Sequence, residues 1–199
     1  MSLSLKLREA LQRKLDGPPL LEGDAVDATE DESGSSMPAA VLVAIVDRTV
    51  PTMILTVRPA TMRRHAGQIA FPGGRIDAGD RDAVDAALRE AEEEIGLPRA
   101  EVEVIGSCSP YRTVTGFEVT PVIGVVPPGL SLVPHAAEVE AIFEAPLAYL
   151  LDPQHQIVRT VDWRGRARCY YEIQWQDRRI WGATAAMIVN LSRRLALAP

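Results

Sequence analysis

Between Asp85 and Glu94 the chain carries five carboxylates, Asp85, Glu90, Glu92, Glu93 and Glu94, with Arg89 the only base among them. The stretch reads as one helix from Arg81 to Ile95. On a wheel at about 100° per residue, Val84, Ala87, Leu88, Ala91 and Ile95 share one arc, the core face. Glu93 and Glu94 fall on either side of Glu90, on a second arc that otherwise holds only Ala83 and Ala86. Glu92 and Asp85 point elsewhere, toward solvent. Like charges three and four residues apart destabilise a helix by roughly 0.2–0.5 kcal/mol per pair, and Arg89 relieves part of that. A focused carboxylate trio makes physical sense when hard cations sit between the carboxylates, because oxygen ligands are what Mg²⁺ requires. A merely solvated acidic face is the ordinary alternative. What weighs against it is the lead-in "FPGG", Phe71 to Gly74. There a strand ends in a proline and two glycines, which let the backbone turn sharply and present amides or carbonyls to a ligand. A glycine turn followed by an acid-faced helix can hold a metal against a phosphate.

Other elements must position that pair. "AAVLVAIV" and "TMILTV", separated by Asp47 to Pro51, read as paired buried strands, and "QIAF" as a short third. After the acidic helix come strand-like "EVEVIGSC", "FEVTPVIGVV" and "AEVEAIFEA", then a short helical "PLAYLL". The pair "QIVRTVDW" and "RCYYEIQW" around Arg164-Gly165 precedes a final helix, Ala183 to Leu197. The fold class expected is α/β, in the α+β sense: a mixed β-sheet sandwiched between α-helices, without internal repeats. At the N-terminus, Leu7, Leu11 and Leu15 repeat at helical spacing before Gly17-Pro18-Pro19. Asp24, Asp27, Glu30, Asp31 and Glu32 then lead into "SGSS". Residues 1–36 are accordingly expected to be a helix and a flexible acidic linker, and residues 37–199 the main folded domain.

The 199 residues, 47% hydrophobic and 24% charged, suit one domain with its own core. A net charge of −6 argues against broad nucleic-acid binding, which needs a basic surface. An anionic ligand therefore needs local help from arginines or metal ions. Cys108 and Cys169 are spaced like no zinc or redox motif and are expected to be reduced, buried thiols in a cytoplasmic protein. The longest apolar run, "PAAVLVAIV", is too short to span a bilayer, and the N-terminus lacks a signal-peptide core. No membrane partner is expected.

"FPGG" together with "REAEEEIGL" resembles the Nudix box of the Nudix hydrolases, a glycine, an acid six residues on, and R-E-U-x-E-E-x-G-U with U apolar. Arg89, Glu90, Ala91, Glu93, Glu94, Gly96 and Leu97 fill the second part, and Gly74 with Asp80 the first. Asp80 stands where glutamate is usual, and one extra residue separates it from Arg89. The lead-in "ILTVRPATMRRHAGQIAFPGG", Ile54 to Gly74, resembles that of the coenzyme A pyrophosphatase branch, which shares the extension and tolerates the aspartate. "SPYRTVTGFEVTPVIGVV", "EVEAIFEAPLAYLLDP" and "IWGATAAMIVNL" extend the resemblance across about Ala39 to Leu195. Pro59 replaces that branch's usual serine and Val114-Thr115 a Pro-Ser pair, departures that bear on substrate selection rather than reaction class.

The resemblance implies a Nudix fold and hydrolysis of the coenzyme A diphosphate to 3′,5′-ADP and 4′-phosphopantetheine, with Mg²⁺ or Mn²⁺. It implies Glu90 and Glu94 as metal ligands, Glu93 as ligand or base, the Gly73 carbonyl as a further ligand, and Arg89 as the group that orients the glutamates. Candidate substrate contacts are Arg58, Arg63, Arg64, His65, Gln68 and Gly74, with Arg58 best placed for phosphate because a guanidinium fork matches its oxygens. Glu138 and Glu140 share one face of an expected strand, and an additional acid from such a strand is a further candidate. Tyr111 and Phe117 are candidates to flank an adenine or pantetheine arm, with core packing the favoured expectation, and Trp163, Trp175 and Trp181 are expected in the core or an interface. A monomer or homodimer is expected. Two other readings stand beside coenzyme A cleavage: a Nudix hydrolase for another nucleoside diphosphate derivative, and a noncatalytic ligand-binding module, against which the retained Glu90, Glu93 and Glu94 count.

Overall fold

"PAAVLVAIV" is apolar at every position because both faces of its strand are covered. The computed structural model describes residues 2–12, 21, 23, 36–62, 65–163 and 166–196. Within them, α1 (Leu3–Gln12) precedes β1 (Met37–Val46), β2 (Thr52–Val57), β3 (Ile69–Ala70), β4 (Gly73–Arg75) and α2 (Ala83–Ile95). There follow β5 (Glu103–Ser107), β6 (Tyr111–Arg112), β7 (Phe117–Val126), β8 (Ala141–Pro146) and α3 (Leu147–Leu151). A hairpin of β9 (Ile157–Trp163) and β10 (Arg166–Trp175), then β11 (Arg178–Trp181) and α4 (Ala183–Ala196), completes the chain. Most of the acidic stretch before Met37, Arg63, Arg64, Arg164 and Gly165 lie outside the described residues.

Eight strands form one mixed sheet with the main order β3-β2-β1-β7-β5, and β9, β10 and β11 form a second, antiparallel sheet. β1 and β7 run parallel from Met37↔Phe117 to Val46↔Val126, while every other pair in the large sheet is antiparallel. Side chains alternate across β1 with period two. Ala40, Leu42, Ala44 and Val46 join Ala86, Ala87, Ala91 and Ile95 of α2 in one apolar cluster. Ala39, Val43 and Ile45 join Ala185, Ile188 and Leu191 of α4 in the other. Coverage on both faces is what produces a continuous apolar run instead of an alternating one. α1 packs here too, with Leu7 and Ala10 buried and Leu7 in the α4-side cluster. Among the described residues no helix is long and apolar enough to cross a membrane.

Two expectations need correction here. The strand expected over Ala137 to Ala145 begins only at Ala141, and residues 136–138 form a turn. Ala86, on the acidic arc, is fully buried, so that arc borders the core. Cys169 is exposed and Cys108 only half-buried; both are free thiols.

The sheet edge beside β1 is divided. β4 pairs with its first half, through Ala39↔Arg75 and Val41↔Gly73, and β2 with its end, through Ile45↔Met53. A cleft lined by Arg58, His65, Gln68 and Gly73 opens beside this divided edge.

Candidate active site

Asp82 starts α2 by accepting a hydrogen bond from the Asp85 N–H, as an N-cap should. Gly96 ends it at φ 64°, the left-handed region that glycine enters without steric cost. Between these ends the helix lies with Glu90 and Glu94 toward β4. Glu94 is 4% exposed, and its Oε2 accepts the Gly73 N–H at 3.1 Å. Glu90 packs against Gly74 so closely that a Cβ there would stand 2.5 Å from Glu90 Oε1. A side chain at 74 would therefore displace the Glu90 carboxylate.

Arg89 organises the acids. Its Nε and Nη2 donate to the two Asp80 oxygens, each at 2.9 Å, and its Nη1 donates to Glu90 Oε1 and Glu93 Oε2, also at 2.9 Å. The Arg75 carbonyl accepts a further bond from Nη2 at 3.1 Å. These hydrogen bonds hold the Asp80 carboxyl down at about 2 and raise Arg89 above its ordinary value. Glu92 instead pairs with Arg99 on the outside of the helix. Asp85, expected in solvent, has a side chain only 13% exposed, held by Arg81 and Arg99.

A third carboxylate reaches the pair from another part of the chain. Ligand oxygens of Glu90, Glu94 and Glu138 lie within 4.8 Å of one another. Delivery of Glu138 follows from the open carbonyls at the end of α2, which need donors. Val133 N–H donates to the Ile95 carbonyl and His135 N–H to the Glu94 carbonyl, and Glu138 N–H then donates to the His135 carbonyl. The sequence offered Glu138 as a further acid but placed it on a strand; a turn over residues 136–138 carries it instead, and the "VPHAAE" break ahead of the apolar residues was the available signal. Glu140, its expected companion, turns away and accepts from the Ala60 N–H. Glu93 is outside the trio and 60% exposed at its side chain, although it shares one Arg89 nitrogen with Glu90.

Burial pushes the Glu94 carboxyl up to about 7, against the opposing effects of the Gly73 N–H and the Arg58 charge. Burial likewise raises Glu90, with Arg89 opposing. Three carboxylates this close, two of them costly to ionise alone, suit a hard divalent cation that takes only oxygen ligands.

The trio opens into a cleft of about 630 Å³ that is also lined by Arg58, His65, Gln68, Gly73 and Gly74. Among the expected substrate contacts only Arg63 and Arg64 are undescribed. Arg58 N–H donates to the Gln68 carbonyl, and His65 Nδ1 lies 2.8 Å from Gln68 Oε1, so the lead-in loop is closed on itself at the cleft wall. The buried Nε of Arg58 has no hydrogen-bond partner among the described residues. Phe117 and Trp181, expected in core or interface, also line the cleft, while Tyr111 is core as expected. Thr184 at the start of α4 donates to the Ile69 carbonyl and fixes the far wall.

A NUDIX domain matches residues 36–164, more than half of the chain. The chain belongs to the Nudix family. Its sequence is 43% identical over 163 residues to the uncharacterized Nudix hydrolase NudL of Photorhabdus laumondii, covering 82% of this chain and 87% of that protein. The NudL of Escherichia coli K12 is 43% identical over 161 residues, 81% of this chain and 84% of that one. A MutT/nudix family protein from Enterococcus faecalis superposes with a TM-score of 0.50 at 15% identity, covering 96% of this chain and 68% of that chain, a likeness of fold alone. This Nudix protein is therefore a hydrolase of pyrophosphate bonds, of a family that generally uses divalent ions such as Mg²⁺ or Mn²⁺ and acts on nucleoside diphosphate derivatives. Its mixed sheet between helices is the Nudix fold.

Proposed function

We propose that this Nudix hydrolase cleaves the diphosphate of coenzyme A into 3′,5′-ADP and 4′-phosphopantetheine. The observation that carries the reading is the meeting of two segments in one cleft: Arg58, His65 and Gln68 of the lead-in line the same cleft as Glu90, Glu94 and Glu138. Arg58 supports it further, because a buried guanidinium nitrogen without an acceptor is costly until an anion arrives.

Glu90, Glu94 and Glu138 would hold Mg²⁺ or Mn²⁺, with the Gly73 carbonyl as a further donor. When bound, the ion neutralises charge on the diphosphate oxygens. The chain's own groups do the rest. Arg58 draws the diphosphate against the carboxylates, and Arg89 keeps Glu90 and Glu93 in place. Water attacks one phosphorus, the bridging P–O bond breaks, the other phosphate leaves with the bond's electrons, and a glutamate takes the water's proton. Glu90, Glu93 and Glu138 are the candidates for that base. His65, Gln68, Gly74, Arg63 and Arg64 complete the proposed substrate contacts.

Incubation with coenzyme A and Mg²⁺ or Mn²⁺, followed by mass identification of products, tests the reading. Metal-dependent 3′,5′-ADP is expected. No release with either ion, beside rapid cleavage of NADH or ADP-ribose, would replace coenzyme A by another nucleoside diphosphate derivative.

A further inference from the structure

β4 ends on a cation that no carboxylate among the described residues neutralises. The Arg75 guanidinium makes no hydrogen bond or ion pair among the described residues, although acids surround it in sequence. Arg89 takes them instead, pairing with Asp77 at 3.7 Å and with Asp80, Glu90 and Glu93 at 2.9 Å. Arg75 lies over an aromatic ring, its Cζ 5.7 Å from the centroid of Phe117, and both side chains line the cleft. Backbone pairing sets this meeting: Arg75 is opposite Ala39, and Met37 is opposite Phe117, so β1 carries both neighbours. Gly73 and Gly74, just before Arg75, touch Glu94 and Glu90, which puts Arg75 at one end of the carboxylate trio.

We propose that Arg75 and Phe117 form the nucleotide end of the cleft, Arg75 binding the 3′-phosphate of coenzyme A and Phe117 stacking on the adenine. This rests on the coenzyme A reading above. The two ends of that substrate differ in chemistry. The pantetheine arm is uncharged and offers amides, whereas the nucleotide end places a doubly negative phosphate beside a flat purine. A guanidinium held over a ring matches the second end in charge and in shape. Arg58, electrostatically coupled to buried Glu94, is left for the diphosphate.

The test compares kcat/KM for coenzyme A and dephospho-coenzyme A in the parent, Arg75→Gln and Phe117→Leu, with circular dichroism as the folding control. The parent should prefer coenzyme A by about tenfold or more, and Arg75→Gln should shrink that preference to within about threefold, as expected for loss of a charge-assisted phosphate contact. Phe117→Leu should weaken both substrates together, chiefly in KM. An Arg75→Gln variant that lowers both substrates in proportion, or neither, overturns the assignment while leaving coenzyme A cleavage standing. Calorimetric titration with 3′,5′-ADP and 5′-AMP is the second arm and needs no turnover. Tighter parent binding of 3′,5′-ADP, lost selectively in Arg75→Gln, supports the subsite even where the parent fails to cleave coenzyme A. Equal parent affinities overturn it.

Discussion

Arg89 Nη1 holds Glu90 and Glu93 at equal distance, and this shared contact keeps Glu93 beside the trio that it does not join. Replacing a glutamate by glutamine keeps its size and removes its charge, so activity should separate the acids by position. Glu90→Gln, Glu93→Gln and Glu94→Gln are each expected to lower turnover by about two orders of magnitude or more, and Glu138→Gln by about tenfold or more. Glu92→Gln should stay within about threefold, since its exposed pair with Arg99 contributes little. Assays at saturating Mg²⁺ decide the matter; a Glu92 variant as damaged as the Glu90 variant refutes sorting by helix face. Gly74→Ala probes the same carboxylate from the opposite side. An added methyl would collide with Glu90 Oε1, a movable side-chain end. The expected result is a loss of activity on the order of tenfold or more with a nearly unchanged unfolding midpoint, because misplacing a catalytic group by about 1 Å is costly.

The loop before α2 and the helix itself are clasped by the Asp80–Arg89 fork, whose carboxylate is only 4% exposed. The folded-state pKa of Asp80 is depressed from 3.8 to about 2. A depressed carboxylate contributes stability that is present above its unfolded value and is lost as pH falls through the folded value. Asp80→Asn should therefore be less stable than the parent at neutral pH, and the gap should narrow as pH falls from 3.8 toward about 2. Urea melts at about pH 7, pH 4 and pH 3 measure that gap. A gap that is constant over this range would remove the charge-dependent part of the clasp. The end of α2 is a different kind of junction. Its carbonyls accept from Val133 and His135, and through them the helix carries Glu138 as well as its own acids.

For the whole molecule, the two apolar clusters divide the labour. One joins α2 to the sheet and so sets the acids, while the other joins α1, α3 and α4 to the opposite face. Leu7 is buried in the second cluster, although it precedes the family-matched region. Leu7→Ala should cost about 2–4 kcal/mol of stability, as large-to-small changes in cores do, and leave KM within about twofold. Chemical denaturation and steady-state kinetics check the two halves. A change of KM without loss of stability would mean that α1 acts on the cleft rather than on the core.

Local order along the chain determined the strand runs, the acidic helix, and the shared arc of Glu90, Glu93 and Glu94. Those features depend on periods of two and 3.6 residues, which a sequence displays directly. Short strands such as β4, β6 and β11 escaped notice because two to four residues are too few to show a period. A wheel orders residues by angle but does not say where the sheet's edge cuts the helix face, so the burial of Ala86 came only from packing. The tertiary structure alone decided that Glu138 meets Glu90 and Glu94, since more than forty residues intervene and the meeting depends on a loop hydrogen-bonded to the end of a helix. It also decided that Arg58 keeps a buried Nε without a partner among the described residues while Arg89 collects Asp77, Asp80, Glu90 and Glu93. Charge is written in the sequence; which charges neutralise one another is set by distance, and distance by packing.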